Sequence, residues 1–268
     1  MENSGPERAR SDAMITAVNR AITATVPVLC TAGWIIHPAN KPFDGHRDVA
    51  ERVIETGCVQ TVLQSVGGLL QIAERPVQGP TPSFQKPHLV LAFITIGDRG
   101  TVGRQALAVQ SGMTEAPVRT IIKKLREGGY AETNASGCYL TGAGQGVYES
   151  LRSRLTQFLP IEGSQLTMGE FQLGLVVKGG GKAVRSGLEQ RDSAIALRAA
   201  GATTFVLKEG KFTVPGGSDD CERDFPSGAW ATLRKKLKPR NGDAVIVCGA
   251  KDETTAKLGA LSAALTLL

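Results

Sequence analysis

The sequence predicts an α+β chain with two ordered parts behind an N-terminal arm, on three observations. Apolar residues recur at helical spacing between Lys86 and Leu125. Two short strands, Tyr130–Thr133 and Cys138–Thr141, follow around a turn-forming tip. Beyond Phe171, β-branched apolar runs alternate with helical segments, the pattern of a second small unit of α+β or α/β type. The 268 residues suffice for one large domain or two small ones.

Composition sets bounds on partners and chemistry. Apolar residues make up 41% and charged residues 21%, which is ordinary for a soluble globular chain. The formal net charge is +6, and this mild basicity permits an anionic partner without demanding one. Residues 86–159 hold nine Lys/Arg against five Asp/Glu, whereas the first 85 hold seven against eight. Five cysteines (Cys30, Cys58, Cys138, Cys221, Cys248) form no CxxC pair and read as reduced, mostly buried thiols of a cytoplasmic protein. The only histidines are His37, His46 and His88, so the C-terminal half has no imidazole for general-base or zinc work. No catalytic residue, metal site or cofactor is expected. Ile22–Ile36 is broken by Pro27 and is too short for a membrane span of about 20 residues. No small-residue cleavage site follows it, so neither a signal peptide nor membrane contact is expected.

Residues 1–80 read as an arm and linker without much order. Within it, 47–60 would make a short helix, and Val62–Ala73 a second one despite Gly67-Gly68. Three prolines between Arg75 and Phe84 mark a boundary. Lys86–Ile96 opens the first ordered part as a helix, with Pro87 in its first turn and Leu89, Val90, Phe93 and Ile94 on one buried face. A second helix covers Arg104–Gln110, and Ser111-Gly112-Met113 is a turn. Thr114 then caps a helix running to Glu127, with Val118, Ile121, Ile122 and Leu125 as its apolar stripe. Gly142–Leu159 is a long helix that would join the two parts and could pair with its twin in a dimer. In the second part, strands are expected at Phe171–Val177, at Ala202–Lys208 with Lys211–Val214 as a hairpin, and at Asp243–Cys248. Helices are expected at Gln190–Ala200, Ala229–Leu237 and Thr254–Leu267.

The spacing around Gly112 is that of a helix-turn-helix. Ala108 is small enough to let the helices approach, while Leu107, Met113, Val118 and Ile121 fix the crossing. The second helix then presents Glu115, Ala116, Arg119, Thr120 and Lys123 away from the core. Its N-terminal part is placed to face base edges, and Lys123, Lys124 and Arg126 to face phosphates, with Arg104 nearby. The tip Asn134-Ala-Ser-Gly137 has no Arg or Lys, so it offers only backbone and hydroxyl contacts.

Gly103-Arg-Gln-Ala-Leu-Ala, Val118-Arg-Thr-Ile-Ile-Lys-Lys-Leu and Leu140-Thr-x-x-Gly144 resemble the winged helix-turn-helix domains of bacterial and archaeal transcription regulators. That resemblance covers 86–159. A further set, Gly187, Glu189, Gln190, Arg191, Asp192 and Ala194, then Gly201, Ala202 and Thr204, resembles archaeal proteins that join a winged helix to a C-terminal domain of unknown function. It would extend the likeness over 86–268, and it implies an architecture rather than an activity. The fold expected is therefore α+β: a winged helix-turn-helix at 86–159 and a small α/β-type domain at 168–268, behind a poorly ordered arm.

Two further stretches invite an anion-binding reading. Lys178-Gly-Gly-Gly-Lys182 fails the Walker A pattern, because Val176 stands where the first glycine belongs and Ala183 replaces the magnesium-binding hydroxyl. It remains either a plain turn or a looser nest in which Lys182 or Arg185 meets a phosphate or carboxylate. Glu189, Arg191 and Asp192 either favour a helix N-terminus or line an effector pocket. The basic run Arg234–Arg240 is a solvated helix end or an added phosphate contact. Together these readings predict a DNA-binding transcription regulator. Its partners would be double-stranded DNA and a small anionic effector, and the chain would form a homodimer. The alternatives are a metabolic enzyme or a protein-interaction module that carries a regulatory winged helix.

Overall fold

The structure is a computed structural model and describes residues 66–74 and 84–268. The expectations for 1–65 and 75–83, including the 47–60 helix, the proline-rich boundary, His37, His46, Cys30 and Cys58, lie outside the described residues. The protein is a mixed α+β structure with two antiparallel sheets.

The first module is built on helix α2 (Lys86–Arg99). Its entry is fixed at Gln85, whose backbone N–H donates to Nδ1 of His88 at 3.2 Å. Sequence spacing predicts one buried face, but Leu89 to Ile94 are all buried. The reason is tertiary: α2 is covered on one side by its own module and on the other by the last helix of the chain. Residues 66–74 are helical (α1) and bury Val66, Leu69 and Ile72 in the same core, so this part of the 1–80 arm belongs to the folded body. A two-residue strand β1 (Thr101–Val102) leads into α3 (Arg104–Ser111). Gly112 ends α3 in the left-handed region (φ 63°), and Met113 N–H returns to the Ala108 carbonyl at 3.1 Å. This is the conformation for which glycine carries no Cβ penalty. Helix α4 (Glu115–Glu127) follows and buries Val118, Ile121, Ile122 and Leu125, the expected stripe. Strands β2 (Ala131–Asn134) and β3 (Gly137–Leu140) form a hairpin, and β1 adds to β3, giving the order β1-β3-β2.

Helix α5 (Gly142–Arg154) is capped by Thr141, whose Oγ1 accepts from Gly144 N–H at 3.0 Å. It ends five residues before the predicted Leu159. Leu155 turns extended and bridges Val177, and Leu159–Ile161 becomes β4. Helical spacing of Leu151, Leu155 and Phe158 is satisfied equally by this turn, and Pro160 suits an edge strand.

The second sheet has the order β4-β5-β8-β6-β7, with β5 (Phe171–Val177), β6 (Gly201–Lys208), β7 (Lys211–Thr213) and β8 (Ala244–Ala250). Every pairing is antiparallel. The module is thus α+β, correcting the α/β-type expectation: β5 and β6 run parallel to one another, but β8 is inserted between them and opposes both. All seven residues of β8 are buried because both faces are covered. On one face Cys248 packs with Ala194 of α6 (Leu188–Ile195), and Ile246 shares a cluster with Leu258 and Leu261 of α9 (Glu253–Leu265). Val245 and Val247 pack with Phe205, Phe212, Trp230 and Leu233 beneath the short helices α7 (Cys221–Asp224) and α8 (Ala229–Thr232). The predicted helix 229–237 runs from α8 into a π turn, Leu233–Leu237. Helix α9 buries Leu258 and Leu261 in the cluster that also contains Leu89 and Phe93 of α2, so the two modules share one apolar core. Among the described residues, no helix is long and apolar enough to cross a membrane.

Candidate nucleic-acid interface

A groove of about 580 Å³ runs between α4 and the β2–β3 hairpin. One wall carries Arg119, Ile122, Lys123 and Arg126 from successive turns of α4; the other is Thr133 to Cys138 of the hairpin. Gly103 and Arg104 close one end. The lining holds four cations and no carboxylate. Among the described residues Arg104, Arg119 and Arg126 form no ion pair, and Lys123 meets only Glu127 at 3.7 Å, a solvated contact worth little.

The hairpin wall is held by local bonding. Asn134 Oδ1 accepts from the N–H groups of Ser136 (2.8 Å) and Gly137 (3.1 Å), tying the tip. Gly137 has φ 142°, and a Cβ there would lie 2.6 Å from the Val102 carbonyl oxygen. On the edge away from the groove, Tyr139 donates its hydroxyl to Glu132 at 2.9 Å, which raises the Tyr139 pKa. Cys138 is a buried member of the hairpin wall. Burial pushes its thiol up to about 11, against the opposing pull of the Arg126 guanidinium, which places that cation close to the hairpin.

The groove gathers Arg104, Arg119 and Lys123 of the sequence-predicted contacts. Glu115, Ala116 and Thr120 also stand on the outer surface of α4 but do not line it; Thr120 donates to the Ala116 carbonyl at 3.3 Å. Lys124 is a correction. It is 4% exposed, and its Nζ donates to the carbonyls of Ile72 (3.0 Å) and Ala73 (3.1 Å), with the Phe84 ring 6.0 Å away. One position along a helix rotates a side chain by about 100°, so in the pair Lys123-Lys124 only one faces out. Arg126, two positions on, occupies the groove instead.

The second set of predicted residues does not converge. Lys182, Arg185, Glu189, Arg191 and Asp192 are all exposed. Arg191 and Asp192 bridge one another at 3.2 Å. Glu189 borders a different depression, with Ser193, Ser262 and Phe84. The glycine turn before Lys182 is consumed by the fold. Gly179 N–H donates to Asp243 Oδ1 (2.8 Å) and Gly181 N–H to the Gly242 carbonyl (2.9 Å). A Cβ on Gly181 would approach Gly242 O to 2.7 Å. These amides are not turned toward a ligand, so the close-packed turn replaces the anion nest. Within the Gly187–Thr204 resemblance set, Gly187 lies against Thr204 and Gln190 Nε2 donates to Thr266 Oγ1 at 2.7 Å, while Glu189, Arg191 and Asp192 are exposed. Among the described residues, no cluster of three or more His, Cys, Asp or Glu side chains is arranged to hold a metal ion.

Comparison with known proteins bears on architecture. Residues 168–267 match the family described as a domain of unknown function (DUF4443). The fold is similar to that of the hypothetical protein PH0730 from the archaeon Pyrococcus horikoshii OT3. The TM-score is 0.55 at 22% identity, over 69% of this chain and 93% of that one. No curated protein matches the chain. The first likeness covers most of the second module, and the second extends across both.

Proposed function

We propose that residues 86–159 form a winged helix that binds double-stranded DNA, and that the chain regulates transcription. The observation that carries this reading is the groove between α4 and the hairpin, with four cations and no acid in its lining. Guanidinium and ammonium groups on that spacing suit phosphate oxygens on one strand, while Glu115, Ala116 and Thr120 on the first turns of α4 stand where base edges would be met. The uncharged tip limits the hairpin to backbone and hydroxyl contacts.

The second module, in this reading, senses a small ligand or holds a homodimer together, and the scattered residues Lys182, Arg185, Glu189, Arg191 and Asp192 are not its binding site. What supports coupling is the packing of α9: Thr254 lies against Gly112, where a Cβ would meet its Cγ2 at 2.9 Å. Movement of α9 would reach the turn that orients α4. Fluorescence anisotropy of the full chain on labelled genomic duplex fragments tests the proposal. Affinity should fall steeply between about 50 and 200 mM salt, and the double substitution Arg119→Gln/Arg126→Gln should reduce the slope of log K against log salt by about two. Binding that is absent or insensitive to salt would sink it.

A further inference from the structure

Three loops meet at the end of the second sheet where β8 begins. Asp243 ties two of them: its Oδ1 accepts from Gly179 N–H and its Oδ2 from Arg240 N–H, both at 2.8 Å. The third is joined by Gly242 N–H to the Leu207 carbonyl (2.8 Å) and by Gly210 N–H to Asn241 Oδ1 (2.8 Å). The loops carry Lys178, Lys182, Lys208, Lys238 and Arg240, all exposed and, among the described residues, in no ion pair. Lys211, a sixth cation, is held by Asp220 at 3.1 Å. Of the two acids in these loops, Asp243 is buried and spent on backbone amides, leaving only Glu209 exposed. Sequence separates these cations by up to 62 positions, Lys178 to Arg240, which is why Lys182 and the 234–240 run read as unrelated features.

We propose that this sheet end is a second docking surface for the phosphate backbone of duplex DNA, separate from the α4 groove. Five cations in no ion pair, on loops cross-braced by hydrogen bonds, form a preorganised positive patch. Such a patch fits a regular array of phosphates, whose binding releases counterions. The cations are spread over three chain segments and not along one α-helix that could enter a groove, so the contact is to backbone and independent of sequence. The surface does not depend on the α4 groove being a DNA site.

The test is anisotropy of the full chain on a duplex of about 40 base pairs across about 50–200 mM salt. It compares the natural protein, Lys178→Gln/Lys182→Gln/Lys208→Gln/Arg240→Gln, and Arg119→Gln/Arg126→Gln. All four sheet-end positions are exposed, so thermal midpoints should match. The expected result is a sheet-end variant at least about tenfold weaker at the low salt, with a slope reduced by about two to four. A sheet-end variant with unchanged affinity and slope overturns the proposal, as does tighter binding of polyglutamate than of duplex by the natural protein. If only the sheet-end variant is impaired, this surface stands and the groove falls; if only the groove variant is impaired, the reverse holds.

Discussion

Lys124 Nζ donates to the Ile72 carbonyl at 3.0 Å, so the last turn of α4 is pinned from behind to the helix at 66–74. The residue next to it, Lys123, faces the groove. Two adjacent lysines therefore do different work. Lys124→Met should remove a charged donor from two buried carbonyls and lower unfolding free energy by about 2–4 kcal/mol, read by urea denaturation. Lys123→Met should leave stability within about 0.5 kcal/mol while flattening the salt dependence of duplex binding by about one. The reverse pattern would mean that Lys124, not Lys123, meets the ligand.

The hairpin wall depends on Gly137. A side chain there would meet the Val102 carbonyl oxygen at 2.6 Å and would hold φ near 142°, outside the ordinary range of L residues. Gly137→Ala should destabilise the protein by about 2–4 kcal/mol and weaken duplex binding under conditions where the chain is still folded. Unchanged melting of this variant would show that the β1–β3 contact is not held as described.

The helices of the first module were legible because each has a local cause: Pro87 at the start of α2, Gly112 at the turn, and the stripe Val118, Ile121, Ile122, Leu125 on α4. The groove was half legible. Helical spacing alone gives the outer surface of α4 but cannot resolve which of two neighbouring lysines is covered, because the cover comes from a helix some fifty residues earlier in the chain. The reach of α5 was overread, since Leu155 obeys helical spacing yet serves as a bridge to Val177. Least legible was the antiparallel sheet. Alternating strands and helices suggest parallel neighbours, and only the insertion of the last strand, β8, between β5 and β6 decides otherwise. The same insertion assembles the basic sheet end.

Thiol chemistry offers an independent check on both cores. Burial pushes the Cys248 thiol up to about 12 and that of Cys138 to about 11. At about pH 8 both should be almost wholly protonated and shielded, so neither acts as a nucleophile. Iodoacetamide labelling followed by peptide mass spectrometry should leave Cys138 and Cys248 unmodified in the native protein and alkylate both in denaturant. Rapid native labelling of Cys138 would show that the hairpin wall of the groove opens.

His88 makes folding sensitive to mild acid. Burial lowers its pKa below the ordinary 6.5 and outweighs the opposing influence of the Gln85 backbone. The folded protein therefore favours the neutral ring. Above about pH 6.5 the ring is neutral in both states and this contribution to stability is fully present; as pH falls below that value the unfolded chain takes up a proton that the folded chain resists, and the contribution is lost through the depressed folded pKa. The unfolding free energy should thus drop between about pH 7.5 and about pH 5.5. His88→Gln should reduce that drop while leaving His37 and His46 in place as internal controls. An identical pH dependence in the two proteins would assign the effect to other groups and show that the start of α2 tolerates a charged imidazole.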